Sequence, residues 1–305
     1  MRHEDDVLWK GIMEEVCDDL LRFIFPDVDQ VLDLKRGFLF LDKELAEMYP
    51  EPEIPSSTRF ADKLVKVFTW SGQEEWVLIH IEVQGETKAA DRPLFPARMF
   101  TYYYRIFDKN KKPVTAIAIF TGPDGHKMSN KYEYQFLGTS HIYQYNTYRI
   151  TDSTEDELTQ SDNPFAMVVL AAKTALLEGK IPEVELKDRK LLVAKYLLSN
   201  KKVGKGKVNA ILAFLNNIIL FEKQETNLIF MEQLDQLTGK NNTMRLIERL
   251  AESREKAALE KVKMTEEKSI RAFLENTEFS SEKIASLIGV TVSLVEDVKE
   301  SLRAK

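Results

Sequence analysis

Two runs of strand-forming residues, Arg59–Val67 and Trp76–Gln84, stand on either side of the polar stretch Ser71-Gly72-Gln73-Glu74-Glu75. Val, Ile, Leu and Phe dominate both runs. Two such runs joined by a short polar turn containing glycine form a β-hairpin. Centring the hairpin on Gly72 places Asp62 opposite Glu82. Glu82 and Gln84 are two residues apart, so they share a face of the strand. A slip of one residue would separate them from Asp62.

The surrounding sequence frames this hairpin with helices and one further strand. Residues 6–24 carry Val7, Leu8, Ile12, Val16, Leu20, Leu21 and Ile24 at helical spacing, and Phe25-Pro26-Asp27 ends the pattern. Gly37–Leu41 reads as a short strand, and Pro50, Pro52 and Pro55 mark an extended loop. Pro93–Phe107 has an apolar helical stripe. Pro113–Phe120 is a continuous apolar run of strand length, suited to the centre of a sheet. Residues 134–150 suggest one more strand pair. The order implies an α/β core, a mixed sheet flanked by helices, over residues 1–160. From Asn163 the periodicity is helical throughout, over 164–177, 186–199, 207–222 and 226–238. The expected organisation is therefore a helical region at 161–240, then a charged helix (241–275) and a helical hairpin (280–302) within 241–305. The a/d pattern of that charged helix is too broken for a coiled coil, although the helix could support a homodimer.

The chain has 305 residues, 44% of them hydrophobic and 30% charged, as in soluble globular proteins. No stretch approaches the ~20 apolar residues of a membrane span. The start, Met1–Asp6, is acidic and lacks an apolar signal core, so the cytoplasm is the expected compartment. Cys17, the single cysteine, sits in a helical pattern and reads as a small buried apolar residue. The net charge of −6 argues against a broad electrostatic grip on nucleic acid, though not against a local one.

Two carboxylates and an amide on an apolar sheet are costly unless something positive lies between the acids. A divalent metal is the usual solution. Asp62 and Glu82 would be a minimal clamp for Mg²⁺ or Mn²⁺, with the Val83 carbonyl completing the shell and Gln84 orienting a water. The alternative is an exposed strand face on which Asp62 and Glu82 are solvated or paired with Lys63, Lys66 or Arg98. The spacing Asp-x₁₉-Glu-x-Gln leaves both open.

The stretches Ala61–Val67 and Trp76–Gln84, continued by Arg98–Asp108 and Pro113–Thr121 and preceded by Asp6–Lys10, resemble the Rpn family. These are recombination-promoting nucleases, also described as transposases, within the PD-(D/E)XK superfamily. The resemblance covers roughly residues 3–125. It implies an α-β-β-β-α-β restriction-endonuclease-like core and a Mg²⁺-dependent DNA endonuclease. Asp62 and Glu82 would be catalytic metal ligands, with Gln84 at the position of the superfamily's lysine. An acid of the first helix, Asp6 or Glu14, could join the site. The other expectation keeps the fold but gives it weak or no catalysis, as a DNA- or protein-binding module. Gln84 in place of lysine and the net acidity favour that reading.

Several further residues carry paired readings. Arg98 could reach a scissile phosphate or pair with Glu86 or Asp91 on a helix surface. His80 is read as a packed histidine rather than a ligand, and Tyr102, Tyr103 and Tyr104 as packing residues. The four lysines of Lys201–Lys207 could hold a DNA backbone or simply coat a loop. Ser281–Glu296 has the style of a helix-turn-helix, but Glu296, Asp297 and Glu300 on its second helix favour an interaction hairpin over DNA reading.

Overall fold

Two helices open the chain, α1 (Glu4–Glu15) and α2 (Cys17–Ile24), where the periodicity predicts one. The computed structural model describes residues 4–43, 45, 60–82, 92–239, 269–271, 273–274 and 279–303, without the side chains of 4–6, 60–62, 74–82 and 300–303. The break between the helices falls at Val16, with φ −125° and ψ 25°. Trp9, Ile12, Met13, Val16, Cys17, Leu20 and Leu21 are all buried, so one apolar stripe runs through the break. That continuity is why the pattern reads as a single helix.

After α3 (Val28–Val31) come β1 (Leu39–Phe40), β2 (Phe60–Phe68) and β3 (Glu74–Glu82). Then follow α4 (Leu94–Asn110), β4 (Val114–Phe120), β5 (Lys131–Phe136), β6 (Thr139–Gln144) and β7 (Asn146–Arg149). The main sheet has the order β1-β2-β3-β4-β7, and β5-β6 is a separate two-stranded sheet. β1, β2 and β3 pair antiparallel, whereas β3-β4 and β4-β7 pair parallel. The molecule is thus mixed α/β. β4 is the interior strand that its apolar run predicts, with residues Ala116 to Phe120 all buried.

Strand alternation gives the main sheet two faces. On one, Leu64 of β2 and Ala116, Ala118 and Phe120 of β4 pack against Phe95, Met99 and Ile106 of α4. On the other, Lys63 of β2 meets α1 through Glu14. α4 ends at Lys111, in the left-handed region at φ 51°, whose N–H caps the Phe107 carbonyl.

The helices that follow belong to the same compact unit, residues 1–238. They are α5 (Glu155–Gln160), α6 (Pro164–Ala175), α7 (Glu183–Ser199), α8 (Lys205–Ile218) and α9 (Gln224–Thr238). α5 opens on a capping box between Thr154 and Glu157. α6 opens on Asn163, whose side chain accepts from the Phe165 N–H while its amide donates to the Asp19 carbonyl of α2. Ten of the twelve residues of α6 are buried, as expected of a helix apolar on all sides. The aromatic pairs Trp9–Phe214 and Phe23–Phe165 lock α1 to α8 and α2 to α6.

Lys190 of α7 is 1% exposed. Its ammonium donates to the carbonyls of Ile219 (2.8 Å) and Asn216 (3.2 Å) at the end of α8, where a positive charge suits the helix dipole. The Phe230 and Phe221 rings flank it at 4.4 and 4.8 Å. Burial nonetheless pushes the ammonium down to about 7. The folded value lies below the unfolded lysine's 10.5, so the unfolded chain binds more protons between them. This group's contribution to stability therefore rises with pH from about 7 to 10.5. Denaturant unfolding of wild type and Lys190→Met at pH 7 and pH 9.5 is expected to show that rise in wild type alone. Parallel profiles would refute it.

The second unit, residues 239–305, contains α10 (Ser281–Ile288) and α11 (Val292–Arg303). Ile284, Ala285, Val295 and Val298 close a small core with Ile270. Gly289, at φ 82°, caps α10 in the left-handed conformation, and Thr291 accepts from the Leu294 N–H. The charged stretch 240–268 lies outside the described residues.

Candidate metal site

The β2-β3 hairpin forms where the sequence places it, but around a different centre. The Thr69 N–H donates to the Gln73 carbonyl, closing a three-residue loop of Trp70, Ser71 and Gly72. Gly72 is the last loop residue, with φ 78°, as a three-residue hairpin requires. The turn is thus centred on Ser71, and every pairing moves by two residues from a Gly72-centred hairpin. Asp62 lies opposite His80, and Glu82 lies opposite Phe60.

The shift preserves the face. Positions 62, 80 and 82 all alternate to the side of Leu64, toward α4. Asp62 and Glu82 become diagonal rather than direct neighbours, which in antiparallel pairs lie about 7–8 Å apart. Glu82 is also level with Phe120 of the parallel strand β4. Both parallel strands reach their carboxyl ends there, the end at which open α/β sheets hold ligands. Val83 and Gln84 lie outside the described residues, as do Asp6's side chain and Glu86 and Asp91, the partners considered for Arg98. Among the described residues no group of three or more His, Cys, Asp and Glu is placed to hold a metal. The expected donors, the carboxylates of Asp62 and Glu82 and the Val83 carbonyl, are hard oxygen ligands of the kind Mg²⁺ takes.

The other face of β2 holds a charge cluster that sequence patterning missed. The Lys63 ammonium is 1% exposed and sits between Glu14 of α1 and Asp42, at 2.6 Å from Asp42 Oδ2. The Phe40 ring centroid lies 5.1 Å away. Burial lowers the ammonium's pKa, but hydrogen bonds to Asp42 and Glu14 outweigh it and leave it raised. Glu14 therefore serves Lys63, on the face opposite Asp62.

Other residues take definite places. Arg98 on α4 has its guanidinium 5.4 Å from the Phe95 ring centroid. Cys17 is buried, and burial pushes its thiol up to about 12, which keeps it protonated. Two lysines of the 201–207 stretch are held by acids: Lys202 by Asp162, and Lys207, in the first turn of α8 rather than in a loop, by Asp18 (2.7 Å) and Asp19 (2.6 Å). Burial raises the Asp18 carboxyl, yet Lys207 and Arg22 hold it below its usual value. These pairs tie the stretch to its own protein and weaken it as a phosphate grip. In the C-terminal hairpin, Glu296 accepts from Ser281 of α10, so this acid braces the hairpin itself.

The chain matches no protein-family model, no curated protein and no solved structure.

Proposed function

We propose that the chain is a metal-dependent DNA endonuclease of the Rpn type, built on a PD-(D/E)XK core. The observation that carries this reading is the hairpin register, which brings positions 62 and 82 to one face at the carboxyl ends of two parallel strands. The element order agrees: helix, three strands with β2-β3 antiparallel, helix α4, then β4 parallel to β3. A bound Mg²⁺ would supply charge stabilisation at phosphorus and a more acidic water. Asp62, Glu82 and the Val83 carbonyl would hold the ion. Gln84, two residues beyond Glu82, would orient the attacking water through its amide without adding charge. DNA is the substrate, and cleavage of both strands of a duplex would need two sites, hence two copies of the chain. The test is plasmid cleavage by the purified protein with Mg²⁺, with Mn²⁺ and with EDTA. Nicking or linearisation only with metal is expected. A folded protein that cuts under no metal condition would leave the binding-module reading in its place.

A further inference from the structure

The β5-β6 hairpin stands apart from the main sheet and carries an aromatic face. Its register pairs Tyr132 with Tyr143, Tyr134 with His141 and Phe136 with Thr139, so these residues share one side. The base of this face is anchored. Tyr132 stacks on Phe100 of α4 at 5.0 Å and 10°, His141 lies 4.5 Å from the same ring, and Tyr143 stacks on Tyr103 at 4.6 Å. Among the described residues nothing covers the outer half in this way: Tyr134 is 46% exposed, Phe136 61% and Leu137 89%. Leu137 and Gly138 form the turn with φ 43° and 82°. A two-residue turn with both φ positive matches the twist of the strands, at a cost of strain for the leucine.

The sequence segment that runs from α4 through this hairpin to β7 has a charge opposite in sign to that of the whole chain. From Arg92 to Arg149 there are nine Lys and Arg against three Asp and Glu, in a chain with 43 and 49. The three acids are already matched: Asp108 by Lys111, Asp124 by Arg92 and Lys127, and Glu133 by Lys131. α4, which carries the hairpin, also exposes Tyr104 and Phe107. Exposed rings on a cation-rich segment suit unpaired nucleic acid bases, because every base has a π-face and every nucleotide a phosphate.

We infer that the β5-β6 hairpin is a stacking platform for unpaired bases of DNA, with Tyr134 and Phe136 as the stacking rings. The inference rests on the nuclease reading for the choice of DNA over RNA. The rings recur every second residue, about 6.8 Å along the strand, which suits bases splayed from a single strand rather than stacked in a duplex. The substrate form would then be DNA that is single-stranded or locally opened.

The experiment is fluorescence anisotropy with labelled oligothymidylate, oligouridylate and a DNA duplex, all in EDTA so that binding is read without cleavage. Wild type is expected to prefer oligothymidylate over duplex and to lose affinity as salt rises. Tyr134→Ala/Phe136→Ala is expected to weaken oligothymidylate binding by at least about tenfold. Gln135→Ala, on the opposite side of the hairpin, should bind as wild type does. Both rings are exposed, and circular dichroism would verify folding. Unchanged binding in the double variant, or equal affinity for duplex, would overturn the platform. So would a shift from dimer to monomer in the double variant by sedimentation, which would make a second copy the occupant. Tighter binding to oligouridylate would overturn the assignment to DNA. Plasmid cleavage that persists while the platform fails would leave the metal site standing, so the two proposals fail separately.

Discussion

Metal-dependent plasmid cleavage is expected to fall by about a thousandfold or more in Asp62→Ala, and similarly in Glu82→Ala. A bound cation contributes several kcal/mol of charge stabilisation at the reacting phosphate, and each 1.36 kcal/mol is a factor of ten in rate. Removing either carboxylate removes half of the proposed clamp. Gln84→Ala is expected to cost less, about ten- to a hundredfold, since it removes a water-positioning group and no charge. Raised Mg²⁺ should partly rescue Asp62→Ala and leave Gln84→Ala unchanged. Cleavage by Asp62→Ala at the wild-type rate would place the chemistry elsewhere.

The second large effect concerns stability and the other face of β2. Glu14→Ala/Asp42→Ala is expected to destabilise the fold by about 3–5 kcal/mol, because it leaves the Lys63 ammonium buried without a counter-charge. Lys63→Met should cost far less, since Glu14 and Asp42 are 47% and 42% exposed and water can solvate them. The triple variant, with Lys63→Met added to the double, should recover most of the loss. Chemical denaturation of the three proteins decides the matter. A triple variant no more stable than the double would mean that lost packing, not stranded charge, sets the cost. The raised pKa of Lys63 gives the sign: the stabilisation is present in full below the unfolded lysine's 10.5 and is lost only as pH climbs through the folded value.

The hairpin, the interior strand β4 and the helices after Asn163 were legible because each rests on a local pattern. Val114–Phe120 is apolar without interruption and can hardly lie elsewhere than in a sheet centre. What escaped was the part set by geometry rather than composition. A glycine marks the turn but not which turn position it holds, and Gly72 at the end of the loop rather than its middle moved Asp62 from Glu82 to His80. The two buried lysines escaped for another reason. Lysine is ordinarily a surface residue, and only the partners supplied by distant segments make Lys63 and Lys190 tolerable inside. Glu14 and Lys63 are 49 residues apart, and Lys190 and Ile219 are 29 apart. The stretch 134–150 holds parts of three strands rather than one pair, and the pattern does not separate β6 from β7 because only Tyr145 lies between them.

β2 carries an acid of the proposed site at position 62 and the buried ammonium at position 63, on opposite faces of one backbone. A genetic selection for loss of nuclease activity would therefore return two kinds of hit around a single strand. Some would be lesions of the proposed site at full protein abundance. Others, at Glu14 or Asp42, would act by lowering the amount of folded protein in the cell, through the Lys63 ammonium they leave unpaired. Abundance measured alongside activity would sort one from the other.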